Sequence, residues 1–128
     1  MIDERTAVVS ATELVDQYFE LWKTTDDDNR HALAQKIFTE SAVQYVAPAN
    51  VSLSGLDAIE ANIAKVNREN IQQAGLTFLP GESVSNHNSI QVNWAVANGA
   101  GDTVGTGRDF LLLDDNGQVT SFYMFMGK

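Results

Sequence analysis

The sequence predicts an α+β fold in which three N-terminal helices pack on a strongly curved antiparallel sheet. Apolar residues recur at helical spacing as far as about residue 70. From residue 76 onward the pattern changes to β-prone runs in which successive side chains alternate. Separators rich in Asn, Asp and Gly divide these runs, as hairpin turns do. Helices followed by a meander of strands are typical of an α+β layout.

Three segments carry an apolar stripe at helical spacing. They run from about 11 to 23, from the acidic linker 24–28 to about Phe38, and from Leu56 to about Asn70. The aspartates of the linker favour a helix start by capping and through the helix macrodipole. We expect residues 1–9 to form a short arm and residues 10–128 to form a single domain.

The β-prone segments comprise one short run between the second and third helices and four longer runs after them. They are 42–46, 76–84, 90–98, 103–113 and 119–126. Both faces of the last two strands carry large apolar side chains, whereas a sheet with one wet face alternates cleanly. The helices are predicted to cover one face, and a second copy of the chain the other. The predicted dimer surface consists of Trp94, Phe110, Leu112 and Tyr123.

The amino-acid composition indicates which classes of binding partner and cofactor are not expected. The chain of 128 residues has 17 acidic and 8 basic side chains, a net charge of −9, no Cys and 2 His. Phosphate backbones and anionic membranes attract cations, so we expect neither a nucleic acid nor a membrane partner. Without Cys or spaced His ligands we expect no metal and no cofactor. The acidic start does not have the layout of a signal peptide, which predicts a cytoplasmic location.

The run 107–119, GRDFLLLDDNGQV, resembles the penultimate strand and hairpin of SnoaL-like, or polyketide cyclase-like, proteins. The order of predicted elements also resembles their parent group, the nuclear transport factor 2-like (NTF2-like) superfamily. The resemblance covers about residues 10–126 and implies a cone-shaped fold with an interior pocket. Members of this superfamily include isomerases, cyclases, dehydratases, epoxide hydrolases and non-catalytic binding modules, so the fold leaves the activity open.

A partial resemblance to ketosteroid isomerase supplies candidate catalytic residues. The segment Tyr18–Leu21 resembles the helix that bears the catalytic Tyr, and Asp109 resembles the neutral Asp that donates a hydrogen bond with it. The position of the proton-transferring base reads as Val46, which cannot move a proton. The resemblance therefore implies that Tyr18 and Asp109 polarise a substrate oxygen and leaves the base unidentified.

The residues themselves leave two interpretations of each candidate. Apolar neighbours should desolvate Asp109, raise its pKa and favour a neutral, donating carboxyl; alternatively it is a structural carboxylate that is salt-bridged or faces solvent. Tyr18 either donates into the pocket or is a core aromatic whose hydroxyl finds a backbone partner. Gln91 and Asn93 are predicted to line the cavity and bind the ligand, because Asp109 would then share their face; if the sheet is oriented the other way they are surface groups.

The remaining candidates form a predicted apolar wall, which is ordinary core on the alternative interpretation. They are Trp22, Val46, Phe122, Met124 and Met126. The favoured function is binding of a small, largely apolar molecule with a carbonyl or hydroxyl group, with isomerase- or lyase-type catalysis through Tyr18 and Asp109. The alternatives are a non-catalytic ligand-binding dimer and an interaction module with a filled core.

Overall fold

The computed structural model describes residues 11–127, so the predicted arm at 1–9 lies outside the described part. The order of elements is α1 (Ala11–Lys23), α2 (Asp27–Ile37), β1 (Phe38–Ala47), β2 (Val51–Ser54), α3 (Leu56–Val66), a π-helical segment (Asn67–Gln73), β3 (Thr77–Asn86), β4 (Ser89–Ala97), β5 (Thr103–Leu113) and β6 (Val119–Met126).

The three predicted helices are confirmed, and α1 has the predicted bounds. The Asp26 side chain caps α2 by accepting a hydrogen bond from the Asn29 backbone N–H at 2.9 Å. The third predicted helix is α-helical only to Val66, after which the chain continues as a π-helix to Gln73. Gly75 then takes a positive φ of 70°, which reverses the chain toward β3. No helix within residues 11–127 is long and apolar enough to cross a bilayer.

The six strands form one sheet in the order β2-β1-β6-β5-β4-β3. The α+β fold class is confirmed, but the sheet is mixed, because β1 pairs with β6 in parallel. That pairing joins strands distant in sequence, so no turn signal announces it. β1 is ten residues long instead of the five predicted, because it starts at Phe38 and crosses an irregularity before Val43. β2, a four-residue partner of β1, was not predicted.

Strand register shows which side chains share the helix-packed face. Val92 of β4 pairs with Asp109 of β5, which pairs with Met124 of β6, so these three side chains point the same way. Trp94 pairs with Gly107 and lies on that same inner face. The prediction that Trp94 belongs to the outer dimer surface is therefore wrong.

Gln91 and Asn93 lie on the outer face, contrary to prediction. They pair with Phe110 and Arg108, and their side chains contact each other, Gln91 Nε2 to Asn93 Oδ1, at 3.4 Å. The physical reason is that Ile90 and Val92 are completely buried against the helices. The apolar side of β4 therefore faces the core, and any pocket continuous with the core opens on that side.

The outer face carries aromatic side chains that the other residues of 11–127 leave partly exposed. Tyr45 and Tyr123 stack with ring centroids 4.7 Å apart, and Phe110 meets Phe125 edge-on at 5.7 Å. Phe125 is 48% exposed and Tyr123 is 37% exposed. Phe110, Leu112 and Tyr123 thus lie on the outer face, as predicted.

Candidate functional site

A cavity of about 350 Å³ lies between α1, α3, the π-helical segment and the inner face of the sheet. Six predicted wall or pair residues line it: Tyr18, Trp22, Val46, Asp109, Met124 and Met126. The lining runs from half-exposed Met126 and Val51 inward to Asp109 and Tyr18, each only 1% exposed. The carboxyl and the phenol thus lie at the floor. The presence of this cavity argues against an interaction module with a filled core.

Asp109 and Tyr18 are joined by a direct hydrogen bond. The Tyr18 hydroxyl donates to Asp109 Oδ2 at 2.6 Å, across the space between α1 and β5. A second donor, the Trp94 indole N–H, reaches Asp109 Oδ1 at 2.9 Å. Each carboxyl oxygen therefore accepts one hydrogen bond from an aromatic side chain. Neither alternative for Asp109, solvent exposure or a salt bridge, is found among the described residues.

Two opposing effects set the ionisation of Asp109. Burial raises the pKa of the carboxyl to about 6, while the hydrogen bonds from Tyr18 and Trp94 favour the charged form and limit the rise. The predicted upward shift is confirmed in direction. A pKa of about 6 favours the carboxylate at neutral pH, and in this form the carboxyl accepts hydrogen bonds from both neighbours.

Tyr18 remains protonated at neutral pH. Burial and the adjacent Asp109 charge raise the pKa of its phenol well above the usual value. The Trp22 indole lies near enough to oppose this rise, although its N–H makes no hydrogen bond of ordinary geometry. The phenol is therefore a permanent donor to Asp109, and its hydroxyl does not seek a backbone partner.

Gly107 makes room for the Trp94 ring. A Cβ built at Gly107 would overlap the six-membered ring of Trp94, whereas one at Gly105 would meet nothing within 4 Å. The ring crosses β5 over the missing side chain and so brings its N–H to Asp109. Sequence reasoning missed Trp94 as a site residue. The available signal was the indole donor on the apolar side of β4.

Gln44 is a second site residue that sequence reasoning missed. It is fully buried on β1, its Nε2 donates to Met124 Sδ at 2.8 Å, and its Oε1 has no hydrogen-bond partner within residues 11–127. The Trp22 Nε1–H is likewise without a partner in the described part of the chain. A polar residue between Ala42 and Val46 in an apolar strand was the signal that could have found Gln44.

Phe122 does not line the cavity, contrary to prediction. It is fully buried behind Tyr18, with ring centroids 6.0 Å apart, and it stacks on Phe38 at 5.1 Å. Its ring supports the position of Tyr18 from behind. Val46 does line the cavity, where it contributes an apolar side chain.

Neither histidine takes part in the site. His31 on α2 lies 2.7 and 2.8 Å from the two carboxylate oxygens of Glu60 on α3. The Glu60 hydrogen bond and charge raise the pKa of the imidazole. His87 lies in the exposed turn between β3 and β4 with a positive φ of 55°.

Comparison with solved structures decides the fold. A candidate isomerase of the SnoaL-like family from Agrobacterium tumefaciens superposes with a TM-score of 0.79 at 20% identity, over 91% of this chain and 97% of that one. The chain has the NTF2-like fold. A candidate polyketide cyclase from Sinorhizobium meliloti also superposes on the chain, with a TM-score of 0.64 at 18% identity over 96% of this chain and 99% of that one.

An NTF2-like protein of unknown function from Cytophaga hutchinsonii superposes with a TM-score of 0.66 at 13% identity, covering 92% and 90%. No family model matches the sequence, and no curated protein sequence is significantly similar to it. At these identities the structural likeness establishes the NTF2-like fold and leaves the reaction to be argued from the site.

Proposed function

We propose that this NTF2-like chain binds a small, largely apolar molecule in the cavity and that Asp109 is the proton acceptor in an isomerase- or lyase-type reaction. The observation that carries the proposal is the Asp109 carboxylate at the cavity floor, held by Tyr18 and Trp94 and with its pKa raised to about 6. A base is most effective when its pKa lies near the working pH. Asp109 therefore supplies the base that Val46 cannot.

The proton transfer can be written for a substrate with an acidic C–H next to a carbonyl. An Asp109 oxygen takes the proton, and the C–H electron pair moves into the new C=C bond while the carbonyl oxygen becomes the enolate oxygen. Return of the proton from Asp109 to another carbon completes an isomerisation, whereas departure of a β-substituent with its electron pair completes an elimination. The hydrogen bonds from Tyr18 and Trp94 hold the Asp109 carboxylate in one orientation while it is ionised.

Hydrogen–deuterium exchange tests the proton transfer without knowledge of the natural substrate. The chain is incubated in D₂O with neutral enolisable ketones, such as 2-tetralone and 2-indanone, and loss of the α-proton signal is followed by ¹H NMR. We expect wild type to exchange at least tenfold faster than Asp109→Asn. Its rate should rise with pH through about 6 and then level off. Equal rates in both proteins would contradict the proposal.

Ligand binding without turnover is the second candidate, and one observation favours it. Among the described residues that line the cavity, Asp109 is the only side chain that ionises near neutral pH, so these residues supply no second acid or base to assist it. Ketone binding by chemical-shift perturbation, with no exchange above the Asp109→Asn rate, would establish binding alone.

We also retain a cytoplasmic location as a prediction.

We further propose a homodimer through the outer sheet face, now defined by Tyr45, Phe110, Leu112, Tyr123 and Phe125. Large aromatic groups half-exposed on a contiguous face favour burial against a partner surface. A two-fold axis would place the same aromatic patch on both subunits and bury it in one step.

A further inference from the structure

The ionised Asp109 carboxyl is a buried charge, and no residue within 11–127 places a cation beside it. It is 1% exposed, and both of its side-chain partners, Tyr18 and Trp94, are neutral donors. The side-chain ion pairs of the described part, Arg30–Asp27 and His31–Glu60, do not involve residues of the cavity lining. Buried charges in proteins are normally paired. The described residues of the cavity lining supply no counter-charge for Asp109.

The carboxylate still has acceptor capacity. An ionised carboxyl offers about four lone-pair sites, and Tyr18 and Trp94 use one on each oxygen. Asp109 is among the residues that line the cavity, which places its carboxyl next to the space that a bound molecule would occupy. A ligand with a charged N–H donor would satisfy the remaining capacity with a charge-assisted hydrogen bond.

The walls around Asp109 suit a cation with an apolar body. Five aromatic side chains line the cavity: Tyr18, Phe19, Trp22, Phe78 and Trp94. The faces of such rings attract cations, and the attraction is larger where water is excluded. No Lys, Arg or His is among the lining residues of the described part of the chain, so these side chains do not repel a cation. The net charge of −9 draws cations toward the protein as a whole.

We infer that the ligand of this cavity is a small organic amine whose ammonium group pairs with Asp109 while its apolar body lies among the aromatic rings. The inference rests on the proposed function only in taking the cavity as a ligand site, and it does not require turnover. A volume of about 350 Å³ is at the small end for ligand pockets, which suits a body of one or two rings.

A matched series of probes tests the charge requirement. The probes are 2-naphthylmethylamine, 2-naphthylmethanol and 2-naphthoate, which share a ring system and differ in head-group charge. Binding is measured by calorimetry at pH 7.5. We expect the amine to bind at least tenfold more tightly than the alcohol and 2-naphthoate not to bind. In Asp109→Asn the amine should fall to the affinity of the alcohol, whereas Asp115→Asn, an exposed acid in the β5–β6 turn, should keep the preference.

Wild type alone provides a second measurement should Asp109→Asn fail to fold. Tyr18 is the other titratable group among the described lining residues, and its phenol stays protonated throughout the range. The preference for the amine over the alcohol should therefore shrink as pH falls from 7.5 to 5. Equal affinity of amine and alcohol at pH 7.5, or tighter alcohol binding, would overturn the inference that the ligand is an amine. The proposal that the cavity binds a ligand would be unaffected. Binding of none of the three would overturn both.

Discussion

Trp94 donates its indole N–H to Asp109 at 2.9 Å from the neighbouring strand, and it is the second of two aromatic donors on the carboxylate. The two residues occupy one face of the β4–β5 pair, displaced by two positions in register, because Trp94 pairs with Gly107 and Val92 pairs with Asp109. The Trp94 side chain thus extends diagonally from β4 to β5, and its hydrogen bond stabilises the buried Asp109 carboxylate on an otherwise apolar face of the sheet.

Removal of the Trp94 donor should destabilise the fold and raise the pKa of Asp109. We expect Trp94→Phe to cost roughly 1.5–3 kcal/mol of unfolding free energy at pH 7, the usual range for a hydrogen bond to a charged group. Urea unfolding measures the loss. The matched control is Trp22→Phe, which makes the same change of ring. The indole N–H that it removes has no hydrogen-bond partner within residues 11–127. Equal losses in the two variants would show that the Trp94 hydrogen bond contributes nothing beyond ring packing.

Gly107→Ala should disturb the site from behind, because its methyl group would overlap the Trp94 ring. We expect a loss of about 1–3 kcal/mol, as overpacking typically costs, together with a shift of the Trp94 indole N–H signal in NMR spectra. Gly105→Ala, two residues earlier on the same strand, meets no atom within 4 Å and is the control. An unmoved indole signal in Gly107→Ala would mean that the ring does not need the glycine.

Much of the fold was predictable because its signals are local. Helical stripes and turn residues located α1, β5 and β6 with the bounds observed. The parallel β1–β6 pairing was not predictable, since nothing local specifies which distant strand becomes a neighbour. Alternation along β4 separated two faces correctly. The prediction failed in assigning the polar side, Gln91 and Asn93, to the cavity.

The candidate pair Tyr18 and Asp109 was predicted from a family resemblance, but its chemistry was not. Whether a carboxyl donates or accepts depends on what lies within hydrogen-bond distance, and here both neighbours are donors. The inverted face assignment hid Trp94, so its effect on Asp109 could not be considered. Gln44 was missed because its burial depends on β1 lying between β2 and β6.

The His31–Glu60 pair joins α2 to α3 and should make stability depend on pH. The folded pKa of His31 is raised, so its stabilising contribution is complete below the ordinary value of about 6.5 and is lost as pH rises through the folded pKa. The melting temperature of wild type should exceed that of His31→Gln at pH 5.5, and the gap should close by pH 8.5. The gap should also narrow in high salt, because the pair is exposed.

The control for this experiment is His87→Gln, which removes the histidine of the β3–β4 turn. Its melting temperature should follow that of wild type at both pH values. A gap between wild type and His31→Gln that widens with rising pH would contradict the assignment of the Glu60 contact as a stabilising ion pair.

The aromatic outer face should hold two copies together. We expect wild type to sediment as a dimer at micromolar concentration and Phe125→Glu to sediment as a monomer, because a carboxylate would then be placed in an apolar interface. Ala61→Glu introduces the same charge on the exposed side of α3 and should leave the dimer intact. A monomeric wild type, or a dimer unaffected by Phe125→Glu, would rule out this surface.

The most direct test of the central claim is a ¹³C NMR titration of the Asp109 side-chain carboxyl, assigned by its absence in Asp109→Asn. The arrangement of one buried carboxylate and two aromatic donors predicts a pKa of about 6, so the group is ionised at neutral pH and able to accept a proton or an ammonium group. A value at or below the ordinary range of about 4 for Asp would contradict a desolvated site. A carboxyl still protonated at pH 8 would contradict its role as an acceptor and restore the neutral, donating form.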